Sequence, residues 1–153
     1  MVKPTSLGHV VLRARELARA ELFYTKILSL DVQARIDKQM VFLTSNSESS
    51  HELALFEIGK DAPVPNPDSV DLYHTAWRYQ SLAELRKLHK KLWGNDIESG
   101  IGNHGISIGI YFFDPDGNEI EAYYELPKQF WPTKNIFSGE YFPDGLDTEL
   151  KTL

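Results

Sequence analysis

Three side chains have the types and the placement to hold a divalent metal: His9 and His74, each inside a near-repeat, and Glu121, beyond a tight turn. The repeat is Leu7-Gly8-His9-Val10-Val11-Leu12-Arg13 against Leu72-Tyr73-His74-Thr75-Ala76-Trp77-Arg78, with Leu, His and Arg in one register. Two imidazoles and one carboxylate carried on rigid strands are the ligand set of a facial-triad iron site or an open zinc site. The chain has no cysteine, so thiolate zinc sites, iron-sulfur clusters, disulfides and cysteine nucleophiles are all excluded. Any metal must use His, Asp, Glu or water.

Positioning such ligands requires two similar modules. In the first, about 7–58, the pattern predicts a strand over Gly8 to Arg13 and a helix from about Glu16 to Leu28, striped by Leu17, Ala20, Tyr24 and Ile27 or Leu28. Strands Asp31 to Ile36, Met40 to Thr44 and Glu52 to Ile58 follow, giving the order β-α-β-β-β. The linker, about 59–70, contains Pro63, Pro65 and Pro67, which prevent continuous helix or interior strand. The second module, about 71–125, repeats the plan with a strand around His74. Its helix opens at Ser81, with Glu84 at capping-box spacing, buries Leu82, Leu85, Leu88 and Leu92, and stops at Gly94. Strands near Asp96 to Ile101, Ser107 to Phe113 and Glu119 to Glu125 complete it, the last two joined by the turn Asp114-Pro115-Asp116-Gly117-Asn118. Residues 126–153 form an irregular tail whose aromatics are expected to pack back on the sheet.

The expected fold is α+β, a single domain over 1–153. Its paired βαβββ modules form a curved, barrel-like mixed sheet around a metal cleft, with the helices outside. Alternation puts His9, Val11 and Arg13 on one face, and His74, Ala76 and Arg78 on one face of their own strand. His9 and His74 are then expected to meet in the cleft.

Composition narrows the partners. With 42% hydrophobic and 25% charged residues the chain matches an ordinary globular protein. A net charge of −6 is the wrong sign for an overall field that holds phosphate backbones, so nucleic acid is not an expected partner. No apolar run approaches the roughly 20 residues of a membrane-spanning helix. The start Met1 to Ser6 leads into a strand without a signal-peptide core, which makes a cytoplasmic address the expectation. Exposed edge strands and the aromatic tail are compatible with a homodimer.

Residues 7–125 resemble the vicinal oxygen chelate superfamily, which includes glyoxalase I, extradiol dioxygenases, fosfomycin-resistance transferases and bleomycin-binding proteins. There the metal ligands lie on the first strand of each module and the last strand of the second, positions that here match His9, His74 and Glu121. The run Ile110-Tyr111-Phe112-Phe113-Asp114-Pro115-Asp116-Gly117-Asn118-Glu119-Ile120-Glu121 is similar to the signature of catechol 2,3-dioxygenases. That similarity makes Tyr111 the group that hydrogen-bonds substrate oxygen. It also makes His104, in the pair His104-Gly105, the proton shuttle, although the spacing is somewhat shorter than in those enzymes.

The resemblance implies an Fe(II) extradiol-type dioxygenase that opens a small catecholic diol with O₂. Such enzymes usually carry a further acid-base histidine shortly before the second metal ligand, and Gly59 to Tyr73 contains none. Glyoxalase I takes a fourth ligand from the last strand of its first module, which here is represented by Glu57. A site using Glu57 as ligand or base would favour a glyoxalase-like isomerase on Ni, Zn or Mn. A third alternative is a metal-free binding protein of the bleomycin-resistance kind. His51 and His89 read as ordinary solvated histidines, and Trp77 and Trp93 as core.

Overall fold

The structure, a computed structural model, describes residues 1–46, 48–66, 68–139 and 141–149. Pro67 of the linker and the last four residues of the tail lie outside them. The chain divides into two compact units, Met1–Pro67 and Asp68–Leu153.

Unit 1 contains β1 (Val10–Ala14), α1 (Leu17–Lys26), β2 (Asp31–Ile36), β3 (Met40–Thr44) and β4 (Leu53–Glu57) in a sheet of order β1-β4-β3-β2. Unit 2 contains β5 (His74–Tyr79), α2 (Leu82–Trp93), β6 (Gly100–Asn103), β7 (Ser107–Phe113) and β8 (Glu119–Glu125) in order β5-β8-β7-β6. In both, the first strand pairs parallel with the last, and the other ladders are antiparallel. Such a parallel pair needs a crossover, which α1 begins in unit 1 and α2 in unit 2. The duplicated β-α-β-β-β plan is therefore present, but as two separate four-stranded sheets rather than the single curved, barrel-like sheet expected from sequence.

Each helix is held by its apolar stripe. Leu17, Ala20, Phe23 and Tyr24 of α1 are buried, as are Leu82, Leu85, Leu88 and Leu92 of α2. Their sheet partners are the inward residues of alternating strands: Leu12, Ala14, Val41, Leu43, Leu53 and Leu55 in unit 1, and Ile108, Ile110, Phe112, Ile120 and Ala122 in unit 2. At about 1.5–3 kcal/mol for each large apolar side chain buried, this packing outweighs the marginal stability of helices of 10 and 12 residues.

Several boundaries differ from expectation, and two strand starts move by more than one residue. The first strand starts at Val10, which leaves His9 just outside it, and β6 starts at Gly100 rather than Asp96. After α2 the chain keeps turning: Asp96 and Ile97 donate to Trp93 and Leu92 carbonyls, and Asp96 adopts a left-handed φ of 55°. The helix exit consumes the residues expected to open that strand.

The tail packs on unit 2 as expected. Phe142 is buried, Trp131 Nε1 donates to the Leu126 carbonyl at 2.8 Å, and Arg86 of α2 donates to the carbonyls of Leu146 and Thr148. Trp93 corrects the expectation of a core residue: it is 82% exposed and, with His89, Ile97, Glu98 and Ser99, lines a shallow groove. It is the last residue of α2, four positions from His89, and falls off the leucine stripe. Trp77 is half-buried, with Nε1 donating to Thr75 Oγ1.

Candidate metal centre

The hairpin of β7 and β8 supplies the first part of the site. Its turn is built by Asp114, whose Oδ1 accepts the backbone N–H of Asp116 and Asn118 at 2.8 and 2.9 Å while Oδ2 accepts Asn118 Nδ2 at 2.8 Å. Gly117 takes the left-handed φ of 91° that closes the turn. A side chain that replaces backbone partners in this way fixes the hairpin register. In that register Tyr111 stands directly opposite Glu121.

On the other side of β8 lies β5, with His74 opposite Glu119 and Ala76 opposite Glu121. The His74 ring has a carboxylate of β8 near each of its nitrogens. Its Nε2 lies 3.3 Å from Glu121 Oε2, and its Nδ1 lies 3.7 Å from Glu119 Oε2. His74 Nδ1 is buried and has no hydrogen-bond partner among the described residues. Cis ligands with bonds of about 2.0–2.2 Å stand roughly 3 Å or slightly more apart, so Nε2 of His74 and Oε2 of Glu121 fit a shared cation.

The second oxygen of Glu121 is held elsewhere. Tyr111 donates its hydroxyl to Glu121 Oε1 at 2.7 Å, and His104 Nε2 lies 2.6 Å from the same hydroxyl. Because the single phenolic proton goes to the carboxylate, His104 must supply its own proton at Nε2 to complete the second bond. Burial, then the bond to Glu121, push the Tyr111 pKa well above the ordinary tyrosine value. The phenol therefore stays protonated at neutral pH.

Two glycines make the cluster sterically feasible. A Cβ at Gly109 would lie 2.8 Å from Glu121 Oε1, and one at Gly102 would lie 2.6 Å from Tyr111 Cε2. The loop carrying His104 is fixed from behind: Asn103 Nδ2 donates to the Phe142 carbonyl at 2.6 Å, and Asn103 Oδ1 accepts the Gly105 N–H at 2.9 Å. The tail thus positions the loop, a role no motif announced.

In unit 1, His9 is exposed and its ring packs 4.4 Å from that of His51, which also meets Phe42 edge-on at 5.1 Å. His51, expected to be merely solvated, is therefore the immediate neighbour of His9. Nothing in its local sequence marks it, because the contact depends on β4 lying beside β1.

Glu57 lies on the helix-packed face. Its register partner is Ala14, which is buried, and its Oε2 accepts the Leu17 N–H at 2.8 Å, closing the N-terminus of α1. Glu16, at the N-cap, makes no side-chain bond of its own. The repeat gives a second observation. Glu121 stands opposite the residue two places after His74, and the residue opposite the one two places after His9 is Ala54. The first module thus has alanine where the second has its carboxylate.

Among the described residues, no group of three or more His, Asp and Glu side chains is gathered as a ready metal-binding cluster. Among the named candidates, close contacts join His74 to Glu121, Glu121 to Tyr111, and Tyr111 to His104.

A model of the Glyoxalase/Bleomycin resistance protein/Dioxygenase superfamily matches residues 6–122. A catechol-2,3-dioxygenase of Bacillus subtilis is 30% identical over 128 residues, covering 83% of this chain and 44% of that protein. Biphenyl-2,3-diol 1,2-dioxygenase 3 of Rhodococcus globerulus is 33% identical over 117 residues, covering 75% of this chain and 60% of that protein. The chain thus spans roughly half of the length of these curated relatives. Among solved structures, a lactoylglutathione lyase from Agrobacterium tumefaciens superposes with a TM-score of 0.63 at 23% identity, over 79% of this chain and 94% of that one. At that identity the likeness shows the fold alone.

Proposed function

We propose that this chain, which belongs to the Glyoxalase/Bleomycin resistance protein/Dioxygenase superfamily, acts as an extradiol-type dioxygenase that opens a small catecholic diol with O₂. The observation that carries the proposal is the double engagement of Glu121, with Oε2 at His74 Nε2 and Oε1 on the Tyr111 hydroxyl. A carboxylate held by a neutral donor on one oxygen presents the other oxygen to a cation. The two relatives named as diol dioxygenases support the substrate class.

In this proposal His74 and Glu121 would hold Fe(II), and His9 is proposed as a ligand only as the repeat counterpart of His74. When bound, such an ion would supply the positive charge that draws a diol in as its anion and a place for the diol and O₂ to meet. The chain's own residues do the rest. Tyr111 fixes the orientation of Glu121 by donating its hydroxyl hydrogen to Oε1. His104 donates Nε2–H to the Tyr111 oxygen and can take a second proton at Nδ1, which suits it to accept the proton a diol loses on binding. Glu57 closes α1 and faces the helix side of its sheet. Together with Ala54 at the counterpart of Glu121, this favours a three-ligand site over the four-ligand isomerase arrangement.

The test is to load the full chain with Fe(II) under anaerobic conditions, add catechol, and then admit oxygen. The proposal expects stoichiometric iron, catechol binding and oxygen uptake with a ring-opened product. Protein that holds iron yet neither binds catechols nor consumes oxygen with them overturns it.

A further inference from the structure

We infer that Glu119 is the positioning residue for the His74 imidazole, taking its Nδ1–H so that the Nε2 lone pair is presented to the metal. The inference rests on His74 being a metal ligand, as proposed above. A neutral imidazole has one N–H, and an ion at Nε2 requires that proton at Nδ1. His74 Nδ1 is buried without a partner, and Glu119 Oε2, at 3.7 Å, lies less than one ångström beyond hydrogen-bond range.

The strands make this pairing specific. His74 and Glu119 are directly opposed in the parallel ladder of β5 and β8, while Glu121 lies one pair further along on the same face. One imidazole is thus flanked by two carboxylates, Glu121 at its Nε2 and Glu119 at its Nδ1. The Glu119 side chain is 20% exposed, and among the described residues its only ion-pair contact is His74. The equivalent carboxylate of unit 1 is differently employed. Extending the ladder back from the pair Val10 and Leu53 puts Glu52 opposite His9, yet Glu52 Oε2 accepts from Thr44 Oγ1 and Ser45 N–H, and Oε1 from Asn46 Nδ2. Only the second module keeps this carboxylate for its histidine.

The experiment uses Zn²⁺, a diamagnetic probe, on the full chain. Zn²⁺ affinity is measured by chelator competition for the wild type, Glu119→Ala, Glu119→Gln and His74→Ala, and the ring protons of His74 are followed by NMR in the Zn²⁺-loaded wild type and Glu119 variants. The expected result is a slowly exchanging, hydrogen-bonded Nδ1–H on His74 in the wild type, lost in Glu119→Ala. Zn²⁺ affinity should fall roughly 10- to 100-fold in Glu119→Ala, and less in Glu119→Gln, which retains an acceptor oxygen. A Nδ1–H signal and an affinity unchanged in both Glu119 variants would overturn the assignment while leaving His74 as a ligand. A His74→Ala chain that binds Zn²⁺ as tightly as the wild type would overturn the metal proposal and this inference with it. Should Glu119→Ala fail to fold by circular dichroism, the isosteric Glu119→Gln carries the comparison.

Discussion

The hydroxyl of Tyr111 donates to Oε1 of Glu121 at 2.7 Å, across directly opposed positions of β7 and β8. The pairing is set by the Asp114 turn and left open by Gly109 and Gly102, so three separate sequence features converge on one hydrogen bond. Its removal is the most direct probe of the site.

Tyr111→Phe should cost about 1.5 kcal/mol, the value of a partly buried bond to a charged acceptor. That corresponds to a fall in Tm of roughly 3 to 6 °C for a chain of this size. Because the folded-state pKa of Tyr111 is raised, its contribution is fully present below the ordinary tyrosine pKa of 10.0 and is lost as pH rises above it. The wild type and Tyr111→Phe should therefore converge in Tm at strongly alkaline pH, as thermal melts across a pH series would show. A gap that stays constant to high pH contradicts the bond.

Gly109→Ala should disrupt the site with little change in composition. The added Cβ would stand 2.8 Å from Oε1 and 3.3 Å from Cγ of Glu121, inside normal contact distance. Overpacking of this kind costs about 1–3 kcal/mol, and relief requires Glu121 or Tyr111 to move. Metal affinity should drop at least tenfold in Gly109→Ala, while Gly100→Ala, whose Cβ meets nothing within 4 Å, should bind as the wild type does. Titration of both variants with Zn²⁺ checks this.

The strands Asp31–Ile36, Met40–Thr44, Ser107–Phe113 and Glu119–Glu125, and the leucine stripe of α2, were legible because local alternation and 3.6-residue spacing determine them. Of the candidates in unit 2, His74 came from the repeat, Glu121 from its place after the turn, and Tyr111 from the resemblance of the run Ile110 to Glu121 to the dioxygenase signature. Glu57 was not legible, because its face depends on the strand beside it and its purpose on the unsatisfied N–H groups at the start of α1. Glu119 and His51 were missed similarly. Each matters only through a neighbour brought alongside by the parallel ladder, and the chain carries no local trace of that neighbour. Trp93 misled because a large aromatic usually finds a core, whereas the end of α2 leaves it outside.

Glu52 should make unit 1 acid-sensitive. Burial opposes its charge, but the Ser45 N–H and the side chains of Ser49, Thr44 and Asn46 together hold its pKa below the ordinary 4.5. A depressed folded-state pKa gives stability that is present above 4.5 and is lost as pH falls through the lowered value. Glu52→Gln should therefore be less stable than the wild type near neutral pH and approach it below about pH 4. Melting curves between neutral and acid pH measure the narrowing, and a difference independent of pH counts against it.

Glu57 separates architecture from chemistry. Its Oε2 accepts the first helical N–H of α1 across 40 positions of sequence, a cap supplied by a strand because Glu16 provides none. Losing an N-cap acceptor costs about 1 kcal/mol, and a carboxylate there also complements the positive end of the helix. Glu57→Ala should lower Tm by roughly 2 to 4 °C, and Glu57→Gln, which keeps an acceptor but not the charge, by less. Neither should change iron content or catechol-dependent oxygen uptake, because the carboxylate lies on the helix side of its sheet, and the strand position equivalent to Glu121 is Ala54. Iron assays and oxygen electrode traces on both variants give the answer. A chain that loses its metal or its turnover when Glu57 becomes Gln, with Tm intact, would restore Glu57 as a fourth ligand and shift the chemistry toward an isomerase.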